Sequence, residues 1–175
     1  MKKRTKPLSR KSAKRPVARP KSKKAVMSYP PLVPSIAVSD AIKAIEFYKA
    51  AFGAVERYRL IDPESRKVGH AELDIHGGLL MLSDEYPQFN RTPHALGGTT
   101  VKLSLMSKDA NADFEQAVKA GAQVVIPLSD QFYGHRSGRV RDPFGHEWLI
   151  SQELEKVTPK EMQRRWDSMG GRKGK

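Results

Sequence analysis

The dipeptide Asp40-Ala41 returns as Asp109-Ala110, at an offset of 69 residues, and its surroundings return with it. Glu46 answers Glu115, Ala51 answers Ala120, and after a one-residue gap Gly53-Ala54 answers Gly121-Ala122. Self-similarity of this kind marks a duplicated structural unit, and so long a period suits two paired modules rather than a solenoid. The chain has to fold as two copies of one module.

Each copy reads as strand, helix and three strands. In the first, "LVPSIAVSD" is a short strand, and "AIKAIEFYKAAFG" then spaces Ile42, Ile45, Phe47, Tyr48 and Phe52 helically, with Ser39 or Asp40 as N-cap and Gly53 as stop. The strands "AVERYRLI", "VGHAELDI" and "LLMLS" follow, separated by the turn-forming "DPESRK" and "HGG". The second copy runs "TTVKLSLMSKD", the helix "ANADFEQAVKAGA", then "QVVIPL", "SGRVRD" and "EWLISQ". We expect an α+β fold of two βαβββ modules: a domain over 30–155, with module one at 32–84, a Pro-, Gly- and Asn-bearing linker at 85–98 and module two at 99–152. Thr158, Pro159 and Glu161 open a terminal helix over 157–169 in capping-box order, and a basic tip closes the chain at 170–175.

Composition adds bounds. A length of 175 residues, 38% apolar and 29% charged, suits one globular domain. The absence of cysteine excludes disulfides and thiol chemistry and accords with a reducing cytoplasm, the expected compartment. The longest apolar stretches fall far short of the ~20 residues that span a bilayer, and no apolar segment follows the basic N-terminus, so neither a signal peptide nor a membrane span is expected. The net charge of +13 is concentrated: residues 1–27 hold 12 of the 32 Lys and Arg and no acid, leaving 20 basic against 19 acidic residues in the remainder. Interrupted by Pro7, Pro16 and Pro20, the stretch 1–28 reads as a disordered tail. It is a solvated extension, sequence upstream of a start at Met27, or an arm for non-specific nucleic-acid binding; its prolines oppose the amphipathic helix of a transit peptide.

The paired modules, with "AIEFYKAAFGA", "VGHAELDI", "LMLSDE", "DQFYGHRSGRVRDPFGHEW" and "TPKEMQRR", resemble the PhnB-like branch of the vicinal oxygen chelate superfamily, the glyoxalase, bleomycin-resistance and extradiol-dioxygenase group. The resemblance implies a glyoxalase-like fold: a curled, cup-shaped mixed sheet with helices on its outer side, holding a small molecule and often completed by a homodimer. In metal-using relatives four side chains bind a divalent ion from the first and fourth strands. The positions that correspond here are Val33, Met81, Lys102 and Leu149, none of which offers an oxygen or imidazole donor, so no metal and no other cofactor is expected.

Strand alternation then assigns faces. With those four positions turned into the cup, Ser35, Ala37, Leu79, Ser83, Ser104, Glu147 and Ser151 join them, while Ile36, Val38, Leu80, Leu82, Val101, Leu103, Leu105, Trp148 and Ile150 pack against the helices. On the third strand Ala71 and Leu73 fit the helix side and leave His70, Glu72 and Asp74 in the cup. His70 and Glu72, beside Lys102 and Glu147, form an acid and base cluster, with His70 and Glu72 as the candidate catalytic pair; a wet ion-pair cluster is the alternative. "DPFG" reads as a type I turn. "DQFYGHRSG" reads as a loop overhanging the cup, where Phe132 and Tyr133 supply contact area and Arg136 recognises an anion, so that Lys102, Phe132, Tyr133, Arg136 and Glu147 are the candidate ligand contacts. Two functions stay open: an enzyme of glyoxalase type acting on a small, anionic substrate by acid and base chemistry, or a sequestering protein of bleomycin-resistance type, either of them with nucleic-acid association through the tail.

Overall fold

The computed structural model describes residues 28–169; the expectations for the tail at 1–27, including its nucleic-acid arm, and for the tip at 170–175 lie outside the described residues. In chain order the elements are β1 (Ser35–Val38), α1 (Ala41–Phe52), β2 (Val55–Ile61), β3 (Val68–Ile75), β4 (Gly78–Asp84), α2 (Pro93–Leu96), β5 (Lys102–Met106), α3 (Ala110–Lys119), β6 (Gln123–Asp130), β7 (His135–Arg141), β8 (Glu147–Glu153) and α4 (Pro159–Ser168). The βαβββ unit is therefore present twice. Its strands form two four-stranded mixed sheets, one per module, ordered β1-β4-β3-β2 and β5-β8-β7-β6. In each, the first strand lies parallel to the fourth and the remaining pairs are antiparallel.

Both helices start by the same device. Asp40 accepts from the backbone N–H of Lys43, and Asp109 accepts from those of Asn111 and Ala112. The end of each fourth strand satisfies a further helix donor: Asp84 accepts from Ala41 N at 2.7 Å, and Gln152 from Ala110 N at 3.1 Å. Gly53, at φ 63°, ends α1 in the left-handed conformation that glycine adopts without strain.

The helix-side face carries the core. Tyr48, Ile45, Phe52, Leu73, Leu82, Val140 and Ile150 are all buried, and modules one and two share this core. Phe52 lies 4.5 Å and Tyr48 5.4 Å, centroid to centroid, from Trp148, while Phe47 meets Phe144 edge-on; such pairs add about 0.5–1.5 kcal/mol each beyond the area they bury. At the centre of the seam is buried Asp142, which accepts from Tyr48 Oη at 2.8 Å, from Trp148 Nε1 at 2.9 Å and from the backbone of Phe144 and His146. Burial, and then the neighbouring Asp142 carboxylate, push the Tyr48 phenol well above its ordinary value. His146 Nε2 donates to the carbonyl of Ala37 at 2.9 Å. "DPFGHEW" is thus more than a turn: it latches module two to module one.

Three other expectations change. Val101 precedes β5 and is 61% exposed, and Leu103, though it packs against the core, is only half-buried, because the start of β5 borders an open groove shared with β1 and the linker. The linker contains α2, capped by Thr92, with Pro93 in the first turn. Strands β6 and β7 run further than the sequence pattern indicates, so the overhanging loop shrinks to the turn Gln131–Gly134, closed by Gln131 N to His135 O at 2.7 Å.

Candidate functional site: two open sheet faces

The face of each sheet away from the helices is open, and on the β1–β4 sheet it centres on Glu72. A register shift in β2 between Glu56 and Tyr58 lets two consecutive residues, Arg57 and Tyr58, both reach the side chains of β3. Tyr58 Oη donates to Glu72 Oε1 at 2.8 Å, Tyr29 Oη donates to the same atom at 3.0 Å, and His70 Nε2 lies 3.2 Å from it. Arg57 is bonded to Asp74 and stands 3.7 Å from Glu72 Oε2. Glu72 is 1% exposed, covered by this thin layer of side chains, and its Oε2 accepts no hydrogen bond from any described residue. Burial pushes the Glu72 carboxyl up, but the hydrogen bonds from Tyr58, His70 and Tyr29 together outweigh it and hold the group below its ordinary value. The reciprocal effect raises the Tyr58 phenol. Glu72 is therefore a fixed carboxylate at neutral pH.

His70, about one-third exposed, links this cluster to a hollow of about 560 Å³ lined by Leu60, Ile61, Tyr86, Phe89, Ser83 and Asn90. The hollow falls in the size range of small-molecule sites, and its walls are mainly apolar or aromatic with a few polar groups, as such sites are built.

The β5–β8 sheet presents different chemistry. Glu147 is gripped by Arg139 at 2.9 Å and Arg141 at 2.8 Å, and Arg141 first, then Arg139, holds its carboxyl below the usual range against burial. Lys102 is exposed and pairs in register with Glu147. Tyr133 Oη meets Ser137 Oγ at 2.7 Å, and His135 Nδ1 meets Ser151 Oγ at 2.9 Å.

The structure brings together His70 and Glu72 but does not join them to Lys102 and Glu147, which stand on the other sheet; no hydrogen bond or ion pair connects the two pairs among the described residues. Phe132 packs on Trp166 of α4 at 5.3 Å, and its carbonyl accepts from Arg165, so it helps to dock the terminal helix. Arg136 sits in β7 on the helix side, clamped to Asp130 at 2.7 and 3.1 Å beside Phe114 of α3; the strand begins two residues earlier than the sequence pattern indicates, and alternation turns Arg136 away from the cup. Tyr29, Tyr58, Arg57, His135, Arg139 and Arg141 escape the sequence reading. Arg139 and Arg141 alternate with Val140 and could have been found by period two, whereas Tyr58 depends on the bulge and Tyr29 lies outside the repeat.

The donor chemistry at the four family positions does not fit a divalent metal. Val33, Met81 and Leu149 offer hydrocarbon or thioether and Lys102 an ammonium group, and the described residues contain no cluster of three or more His, Asp or Glu placed to hold an ion. No helix among the described residues is long and apolar enough to cross a membrane.

Paired βαβββ modules with open faces define the architectural class. The chain belongs to the Glyoxalase/Bleomycin resistance protein/Dioxygenase superfamily, whose profile matches residues 31–150. It is 43% identical over 145 residues to an uncharacterized protein of Mycobacterium bovis, across 81% of this chain and 95% of that one. Among solved structures it resembles TioX from Micromonospora sp. ML1, with TM-score 0.57 and 28% identity, covering 73% of this chain and all of TioX. It also shares its fold with a PhnB protein from Bacillus cereus, with TM-score 0.55 and 16% identity, covering 70% and 99% of the two chains.

Proposed function

We propose that the chain is a small-molecule-binding protein whose ligand lies on the β1–β4 sheet and gives a hydrogen bond to Glu72. The observation that carries this reading is the asymmetry of one carboxylate: Oε1 has three hydrogen-bond partners, while Oε2 is covered, accepts no hydrogen bond from the described residues and has only the Arg57 guanidinium, 3.7 Å away. A covered acceptor with an open lone pair is a place for a donor, because buried polar groups are almost always hydrogen-bonded. With Asp74 alongside and Arg57 the one cation bonded to the cluster among the described residues, the site suits a neutral or cationic ligand better than an anion. A carboxyl held below its ordinary value is also a weak proton acceptor, which favours holding a ligand over transforming it.

A second reading, an acid and base enzyme of glyoxalase type, draws on the contact between His70 and Glu72: the carboxylate fixes the imidazole, and His70 moves the proton at the edge of the hollow. Under either reading we keep a cytoplasmic setting, supported by the lack of cysteine, and nucleic-acid association through residues 1–27, supported by their 12 basic side chains. A homodimer is supported by β1 and β5, each of which has no strand on one side among the described residues, beside a groove bearing exposed Leu96 and Val101.

The test is capture of metabolites on the purified chain, read by mass spectrometry, with wild type and Glu72→Gln side by side. The binding reading expects a compound bearing an N–H or O–H donor to be retained at unchanged mass by wild type and released by the variant. Conversion of the captured compound on incubation, lost in His70→Ala, favours the enzyme; equal retention by both proteins removes Glu72 from the site.

A further inference from the structure

The segment that leads into β1 crosses the face on which Glu72 stands. Pro34 accepts from Met81 N of β4 at 3.0 Å, whereas five and six residues earlier Tyr29 bonds Glu72 on β3 and Ser28 O accepts from Arg57 of β2. The stretch "SYPPLVP" is suited to such a crossing. Its prolines at 30, 31 and 34 hold the backbone extended and carry no N–H, so the segment lies over a sheet face with few donors of its own to satisfy. Its first part, residues 28–31, precedes the repeat, and nothing in module two corresponds to Tyr29 at the equivalent face. Leu79, paired in register with Asp74, is 6% exposed although it lies outside the hydrophobic core cluster.

We infer that residues 28–34 form an internal occupant of this cup: the phenol of Tyr29 stands where the ligand's own ring is to lie, and once Tyr29 leaves Oε1 the ligand's donor reaches the Glu72 carboxylate, whose Oε2 is open. The inference deepens the binding reading and rests on it. It names the ligand class as an aromatic ring bearing a hydroxyl or N–H donor. Two phenols already share one oxygen of Glu72, and the adjoining hollow continues the aromatic lining with Tyr86 and Phe89. It also makes the site self-regulated. Because Glu72 is 1% exposed under this cover, a ligand reaches it only as Tyr29 leaves, and the apparent affinity falls by the fraction of molecules in which the cup is open.

The experiment is side-chain rescue in the full-length chain. Tyr29→Gly removes the phenol and leaves space for p-cresol, the same group as a free molecule; Tyr29→Phe keeps the ring and removes only the donor. Binding of p-cresol is measured by titration with ligand-observed NMR, and folding by thermal melting, which both variants should pass because Tyr29 belongs to no core cluster. We expect saturable binding to Tyr29→Gly about tenfold or more tighter than to wild type, little binding to Tyr29→Phe, and loss of the gain in Tyr29→Gly combined with Glu72→Gln. Equal binding to wild type and Tyr29→Gly, or a gain that survives Glu72→Gln, overturns the inference. Failure of p-cresol to bind any variant, while Glu72→Gln still releases a captured metabolite, sinks the strap and leaves the binding reading standing.

Discussion

The two modules agree on one face and disagree on the other. On the helix side they share an N-cap aspartate, a fourth-strand side chain that caps the helix, and one aromatic seam. On the open side the same register position carries opposite charge. Glu72 pairs with Met81 of its fourth strand, and Arg139 pairs with Leu149 of the other. One sheet collects tyrosines and a histidine around a carboxylate; the other collects Arg139, Arg141 and Lys102 around Glu147. The lesson is that a duplicated unit is constrained where its copies bury surface and free where they face a ligand. Specific chemistry is therefore to be sought in the differences between copies.

The largest expected effect comes from cutting the half that the modules share. Asp142→Ala strands the phenol of Tyr48 and the indole N–H of Trp148 in the seam and removes the acceptor for two backbone donors. We expect a loss of about 3–5 kcal/mol in urea unfolding, from several orphaned buried donors at about 1–3 kcal/mol each. A loss below about 1 kcal/mol would show that the modules hold together without the latch.

A second substitution pair tests the faces on one strand. Ile150 is fully buried on the helix side and its neighbour Leu149 is half-buried on the open side. Ile150→Ala should lose about 2–5 kcal/mol and Leu149→Ala much less, since the latter leaves a smaller cavity and lies against solvent. Equal losses would mean that the open face is packed in solution by another surface.

Much of the shared half is legible in the sequence. The capping aspartates, the helical spacing of Ile45, Tyr48 and Phe52, and the alternation in "VGHAELDI" are local signals, and they place the helices and put His70 and Glu72 on one side of β3. What escapes them is non-local or register-dependent. Asp142 looks like a turn residue because Tyr48, its partner, is 94 positions away. Tyr58 faces Glu72 only through a bulge, and Arg136 changes face because β7 starts at His135. Tyr29 belongs to a proline-bearing stretch with no period, so no pattern assigns it a direction.

The comparison is sharpened by one neutral substitution on each face. Glu72→Gln should weaken a donor ligand by about 1.5–3 kcal/mol, the range of hydrogen bonds to charged groups, while Glu147→Gln should leave that ligand unaffected. Acid gives the same contrast without mutation. The Glu72 carboxyl is held below its ordinary 4.5, so its contribution to binding and to stability is present above that value and is lost only as pH falls through the lower folded value. Isothermal titration should thus find affinity maintained down past pH 4.5. A decline centred well above pH 4.5 would instead remove Glu72 from recognition.

The smallest expected effect is that of a chelator, which should be nil. A family metal would draw its ligands from both sheets and so bridge the faces that differ here in sign. The four positions that would supply it hold Val33, Met81, Lys102 and Leu149, and a protonated lysine repels a divalent cation besides failing to coordinate it. The carboxylates nearest those positions are already committed: Glu72 to Tyr29, Tyr58 and His70, and Glu147 to Arg139 and Arg141. Recruiting Glu147 to a cation would mean breaking its contacts with Arg139 and Arg141, and Glu72 has only Oε2 to offer. Elemental analysis of the purified chain should therefore find no stoichiometric zinc, nickel, manganese or iron, and melting should be unchanged by excess chelator. One bound metal per chain, with a melting point that falls on chelation, would show that the two faces converge on a shared ion after all and that their opposition in charge is not what sets the ligand.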